Sequence, residues 1–570
     1  MNLLRHSFAL LAISATLGAA AGGNADAPYV SEVWSPDNGN GTYTNPIINA
    51  DYSDPDVVCV GDDFYLTASS FCNVPALPIL HSRDLVNWEI INYAVKSTLL
   101  PEEYFNTPQH GGGVWAPSFR YHDGTYYIYW GDPDWGIFMV KTTDPRGEWD
   151  APVLVKEGKG IIDTCPLWDE DGRAYLVNAY AKSRSGLNAV LTVTEMSPDG
   201  TRLIGEPVLV YDGLPDGNHT TEGPKFYKHD GMYYILAPAG GVATGWQIAL
   251  RSKSPYGPYE VKTVMAQGNT DINAPHQGGM VTTPAGEDWF IHFQDKGVVG
   301  RVVHLNPVTW VDGWPVMGVD KDGDGCGDPV RTFRKPKVAG KTAIVNPVES
   351  DEFNSPVLGK QWQWYANYQL PFGFPTSDGY FRLYGYSVSE NFVNMREVPN
   401  ILTQKFPNEE FTATAKVRVS ATIDGQESGL AVMGNDYCRL AVEKQGSEFV
   451  VKLIECKSAN KGKPETELAR TTVASTSVYG DGLRASYNVD LWLKVKVRPA
   501  KVTDKNGNEV NAEYCQFYYS TNGKKFNKIG EEFSAREGHW IGARFGFFSI
   551  QPHGTNRGWM DIDWIRVTKK

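Results

Sequence analysis

The chain has 570 residues, more than one hydrophobic core accommodates, so at least two domains are expected. Its formal net charge of -13 argues against nucleic acid or an anionic membrane surface as the main partner. With 21% charged residues the composition is globular rather than disordered, and its 17 Trp and 29 Tyr suit a β-rich core or sugar stacking.

The first residues, MNLLRHSFALLAISATLGAAAGG, carry Arg5 and His6, then an apolar stretch from Phe8 to Leu17, then Ala19, Ala20 and Ala21. That order predicts a signal peptide over residues 1–21, too short to span a bilayer. No Cys stands at the cut to carry a lipid. An exported, soluble protein is expected, periplasmic or extracellular, with no membrane partner. The seven cysteines (Cys59, Cys72, Cys165, Cys326, Cys438, Cys456 and Cys515) form neither a disulfide framework nor a C-x-x-C zinc pattern. Mostly buried thiols are expected, with one bridge at most.

Five segments then repeat one plan, a Gly- or acid-containing turn followed by an aromatic-rich strand. They are GDDFYLTAS (61–69), DGTYYIYWG (123–131), DGRAYLVNA (171–179), DGMYYILAP (230–238) and GEDWFIHFQ (286–294). Aligning Phe64, Tyr126, Ala174, Tyr233 and Trp289 gives steps of 62, 48, 59 and 56 residues. Each step holds about four short strands, the size of a propeller blade. Residues 40–340 contain no long amphipathic helix and read as a five-bladed β-propeller.

Counting back ten to thirteen residues from these strands reaches Asp54, Trp115, Asp163, Glu222 and His276. Equivalent slots of a circular array converge on its axis, so these side chains are expected to meet at one end of the channel. Like-charged carboxylates repel, and their convergence is a chemical arrangement rather than a packing solution.

With these motifs in order, residues 40–340 resemble glycoside hydrolase family 43, through NPIINADYSDPDV (45–57), VWAPSF (114–119), IDTCPLW (162–168), TEGPKFY (221–227) and GRVVHL…DGWP (300–315). The resemblance implies that Asp54 is the general base, Glu222 the general acid and Asp163 a third carboxylate that orients the acid and raises its pKa. It also implies inversion, with a water between one carboxylate and the anomeric carbon. Arg301 matches the family's substrate arginine, Trp115 a wall of the sugar pocket, and Phe71 a second, weaker wall. His276 matches a histidine that in many members faces a calcium or a water cluster in the channel. No cofactor is expected to be required, and a structural calcium at His276 is the one metal this implies. Asp51 and Asp56 add carboxylates beside the base, but only Asp54 holds the repeat phase. The run VDKDGDGCGDP (319–329) opens like a calcium loop at Asp320, Asp322 and Asp324, yet its twelfth position is Arg331 instead of Glu, so an acidic surface turn is expected.

After Pro347 the pattern becomes alternating strands, at 411–419, 491–499, 514–520 and 544–550, with a hairpin signal at Asn522-Gly523. Residues 347–570 are therefore expected to form a concanavalin-like two-sheet β-sandwich that shapes one side of the pocket. The family's β-xylosidase and arabinofuranosidase branch has such a domain. The expected function is exo-acting release of a terminal pentose, α-L-arabinofuranosyl before β-D-xylosyl, from plant cell-wall hemicellulose or pectin by a monomer. A non-catalytic carbohydrate-binding propeller is the alternative from another class. A retaining propeller hydrolase is disfavoured because DYSDPDV stands where those enzymes have W-M-N-D-P-N-G.

Overall fold

A computed structural model describes residues 28–480, 485–503, 509–555 and 558–569; the expected signal peptide lies outside the described residues. The fold is all-β, with five four-stranded antiparallel blades followed by a two-sheet sandwich. The second strands of the blades are Asp63–Thr67, Thr125–Asp132, Ala174–Tyr180, Met232–Ala239 and Asp288–Asp295. Each contains one of the aligned repeat positions.

These strands read as unbroken aromatic and aliphatic runs because both of their faces are buried. Tyr126 and Ile128 face blade one, while Tyr127 and Tyr129 face blade three. Tyr175 and Val177 of blade three pack with Tyr233 and Ile235 of blade four, and Leu236 of blade four packs with Phe290 of blade five. Trp289 and Ile291 of blade five then meet Phe64 and Leu66 of blade one. Five apolar seams thus hold five blades, each large side chain contributing about 1.5–3 kcal/mol of burial.

The seam between blades five and one needs more, since no connecting loop joins them. The segment ahead of blade one lies along the third strand of blade five, Arg301–Val311, with an antiparallel bridge between Ile48 and Val303. Asn45, fully buried, donates to the carbonyls of Leu305 (2.8 Å) and Val330 (2.8 Å) and accepts from the Leu305 amide (2.9 Å). Thr42–Thr44 pairs with Thr332–Arg334 outside this seam.

In the sandwich the expected alternation holds. Phe411, Ala413, Ala415, Val417 and Val419 point into the core, while Lys416 and Arg418 pair outward with Asp563 and Asp490. Ser520 and Asn522 cap the turn that carries Gly523 at φ +69°, between Glu509–Ser520 and Asn527–Lys528. The sandwich is stitched to the propeller through a bridge between Val74 and Trp364 and through Asn367, which bonds both backbone groups of Leu99. All seven cysteines are free thiols, five of them buried, so the expected upper limit of one bridge is not used. The Asp320–Asp324 turn is exposed and closes on itself, Asp320 accepting from the Gly323 and Gly325 amides.

Removing the Asn45 amide takes the side-chain partner from the buried Leu305 amide and Val330 carbonyl, while the Leu305 carbonyl keeps the Tyr43 hydroxyl at 2.7 Å. Asn45→Ala is expected to lower stability by about 3 kcal/mol, read as a drop in the urea midpoint; an unchanged midpoint contradicts this account of ring closure.

Candidate active site

Each blade begins near the axis with a residue in the left-handed backbone region. In chain order these are Asp54 (φ 53°), Ala116 (φ 35°), Asp163 (φ 56°), Gly223 (φ 58°) and Gln277 (φ 33°). In blades two, three and five this residue sits in a β-bulge, between Trp115 and Ser118, Ile162 and Cys165, and His276 and Gly278. A bulge re-aims the side chain beside it, and a strained non-glycine residue there persists only because surrounding contacts hold it.

This geometry corrects the counting of repeat positions. Asp54 and Asp163 do occupy one slot, but Trp115, Glu222 and His276 each stand one residue before it. The irregular residue adds a place that strand spacing does not reveal.

A cavity of about 460 Å³ opens at this end of the channel, lined by Asp54, Asp163, Glu222, Trp115, Phe71 and Arg301, together with Ala116, Ile162, Val242, Gln277 and Trp540. Six of the seven residues singled out from sequence line it. The seventh, His276, is fully buried behind it and places Nε2 3.0 Å from Glu222 Oε1.

Asp54 is buried and fixed from three sides. Ser53 and Ser69 each donate a hydroxyl to Oδ2 at 2.6 Å, and Arg301 Nη1 stands 3.5 Å from Oδ1. Arg301 is itself buried, with Nη1 on Ser53 Oγ at 2.7 Å and its backbone amide on Asp51 Oδ1 at 2.9 Å. Its guanidinium lies 4.8 Å from the Phe293 ring centroid and 5.7 Å from that of Trp540. The extra carboxylates beside the base therefore have structural duties. Asp51 positions Arg301, and Asp56 binds Arg120 (2.7 Å) and the Phe119 amide (2.9 Å).

Asp163 accepts from the Gly223 amide at 2.7 Å and from Gln277 Nε2 at 3.4 Å. Burial pushes its carboxyl well above the ordinary carboxylate range. The negative charge of Glu222 adds to that push and Asp54 adds less, while Gly223 and Lys225 oppose it. Lys225 is fully buried below, with Nζ on Pro117 O and Ser118 Oγ, both at 2.8 Å. Trp115 holds its indole by donating to Gly111 O (2.9 Å) and meets Phe71 edge to face at 6.4 Å.

His276 has one ring nitrogen on Glu222 and leaves Nδ1 without a partner. Calcium takes six to eight oxygen ligands. Among the described residues the one cluster of three metal-type side chains is Asp320, Asp322 and Asp324, away from the channel. The donor set at His276 does not fit a calcium cage made by protein.

Four further residues at the site carried no sequence signal of their own: Ser69, Gln277, Val242 and Trp540. Trp540 comes from the sandwich, so the pocket is built by both domains.

Three carboxylates in the mouth of a five-bladed propeller, walled by aromatic rings, define a carbohydrate-cleaving enzyme. The chain belongs to glycosyl hydrolases family 43, whose model matches residues 43–315; a β-xylosidase C-terminal concanavalin A-like domain matches residues 350–568. A putative β-xylosidase of Xylanibacter ruminicola is 35% identical over 517 residues, covering 90% of this chain and 86% of that protein. A β-xylosidase of Formosa agariphila is 33% identical, covering 93% and 90%. A non-reducing end α-L-arabinofuranosidase of Bacteroides ovatus is 33% identical, covering 72% and 78%. Among solved structures, the Bacteroides ovatus xyloglucan-locus protein GH43B superposes with a TM-score of 0.75 at 26% identity, covering 93% of this chain and all of that one.

A carboxyl held above its usual pKa makes the folded state bind more protons than the unfolded one, so it costs stability as pH rises from the ordinary value through the raised one. Asp163→Asn removes that cost and keeps an oxygen for Gly223. The variant is expected to melt higher than wild type at pH 7, with the advantage vanishing near pH 3; equal melting temperatures at pH 7 contradict the direction given for Asp163.

Proposed function

We propose that this glycosidase works from the chain end with inversion, releasing a terminal pentose from plant hemicellulose or pectin glycans. Asp54, Asp163 and Glu222 sharing one cavity is the observation that carries the reading. Asp54, held by two hydroxyls and a guanidinium, accepts a proton from water as the water attacks the anomeric carbon. Glu222 delivers its proton to the glycosidic oxygen, and the C–O bond to the leaving sugar breaks. The two stand on blades one and four, which do not adjoin. Inversion calls for a wide spacing, about 6.5–9.5 Å, to hold the water.

Asp163 shares the cavity with the acid, and burial, with the charge of Glu222 added, holds the Asp163 carboxyl well above the usual carboxylate range. His276 fixes the Glu222 carboxyl by its 3.0 Å contact. Arg301 sits where a guanidinium reaches both Asp54 and a sugar hydroxyl, and Trp115 with Phe71 gives the ring an apolar wall. None of these steps is assigned to a metal ion.

For the sugar itself, the two relatives matching at least nine-tenths of the chain bear β-xylosidase names, whereas the arabinofuranosidase matches 72%. β-D-Xylosyl is therefore the first reading and α-L-arabinofuranosyl the second, reversing the order that the sequence suggested. The N-terminal pattern supports export to the periplasm or beyond, where such glycans are met, and the enzyme is taken to act as a monomer.

The test is hydrolysis of nitrophenyl β-D-xyloside and α-L-arabinofuranoside side by side, with the first-formed anomer read by NMR. Inverted product from either supports the reading; retained configuration, or binding without cleavage, ends it. Glu222→Gln is expected to cut kcat by at least about a hundredfold while leaving sugar affinity within a few-fold. The pH profile of kcat/KM is expected to be bell-shaped, and Asp163→Asn to move its alkaline limb, because the acid loses the titratable neighbour with which it shares the cavity. An unmoved limb removes Asp163 from the proton account.

A further inference from the structure

Asp56, Arg120 and Lys225 form a buried ion-paired cluster among the first strands of the blades, and the sugar is taken to enter and leave through the mouth. The sandwich blocks part of that mouth. Val74 pairs with Trp364, the Ala543 amide donates to Val298 O at 2.7 Å, and Trp540 reaches the pocket from the same side. Beside the Trp115 wall of the cavity lie the blade-two turn at 133–135 and the blade-three connection at 181–189, joined to it through Arg184.

That rim carries partly exposed aromatic surface, of which Tyr104 also meets the buried Phe105 edge to face at 5.0 Å. Tyr104 and Trp135 are each 37% exposed, meet edge to face at 5.6 Å, and belong to none of the buried clusters of the propeller. Arg184 ties them to the pocket. Its guanidinium forks onto Asp134, the residue before Trp135, at 3.2 and 3.3 Å. The same group lies 5.7 Å from the ring centroid of Trp115, the cavity wall. Leu187, 46% exposed, follows on the same connection. Trp115, the Arg184 guanidinium, Trp135 and Tyr104 thus belong to one neighbourhood, linked through Asp134.

We propose that Trp135 and Tyr104, with Arg184, form a binding platform for the part of the glycan beyond the scissile bond. This deepens the reading given above and rests on it. A neutral pentose chain matches the chemistry. Its C–H faces stack on exposed aromatic rings, and its hydroxyls accept from a guanidinium that already has a fixed partner. The direction also fits the reaction, because water acts from Asp54 on the arginine side, and the departing chain must leave away from it.

The test compares two substrates on each enzyme, a linear four-unit pentose oligosaccharide and a nitrophenyl pentoside, which ends where the platform begins. In Trp135→Ala the ratio of kcat/KM for the oligosaccharide to that for the nitrophenyl pentoside is expected to fall about tenfold, through KM more than kcat. Tyr104→Ala should lower it less, and Trp135→Phe should restore most of it. A ratio within twofold of wild type in Trp135→Ala overturns the platform.

Failure of the parent reading shows separately. If the wild type cleaves no pentoside, calorimetry on Glu222→Gln with neutral hemicellulosic oligosaccharides still tests the surface. Binding that weakens about tenfold on adding Trp135→Ala supports it, and unchanged binding, or none at all, overturns it.

Discussion

The site depends on closure of a ring. Asp54 and Arg301 are 247 residues apart in the chain, and they meet because the segment from Asn45 to Tyr52 is clamped on the last blade. A propeller whose first and fifth blades drift apart keeps four of its five apolar seams, yet loses the guanidinium beside its proposed base. Closure is thus local in its bonds and global in its effect. It also explains why a fully buried asparagine is spent there, since one side-chain amide satisfies three backbone groups that no strand partner reaches.

Within the closed ring the site is made by irregularity. A regular first strand would send alternate side chains into the seams between blades. The left-handed residues and bulges at the strand starts break that alternation and turn Asp54 and Asp163 toward the axis. Both the backbone strain and the crowding of acids cost stability. They are carried by the surrounding hydroxyls, amides and buried cations, notably Ser53 and Ser69 on Asp54 and Gly223 on Asp163. Burial, with the charge of Glu222 added, then favours a protonated carboxyl at Asp163.

The fold was legible in the sequence where burial is two-sided. Tyr126-Tyr127-Ile128-Tyr129 is continuous because alternate side chains serve the seams on either side of the blade, and such runs spaced by about fifty residues announce blades. The acids were legible through their distance from those runs, although Trp115, Glu222 and His276 stand one place before the slot that Asp54 and Asp163 occupy. Arg301 came through its motif, and its burial shows that it is no surface arginine. Trp540, Val242 and Gln277 were not legible. They stand in connections or at strand starts with no periodicity, and their neighbours are fixed only by how blades and sandwich come together.

Trp540 has one consequence for how such proteins diversify. The acids belong to one module, whereas a ring lining the pocket belongs to another, held by backbone and side-chain bonds such as those of Val74, Asn49 and Asn367. Exchange of the second module between relatives, or drift in a single loop of it, re-tailors the fit of the pocket while leaving the chemistry untouched. Part of the selectivity is therefore inherited on a different piece of the polypeptide from the reactivity.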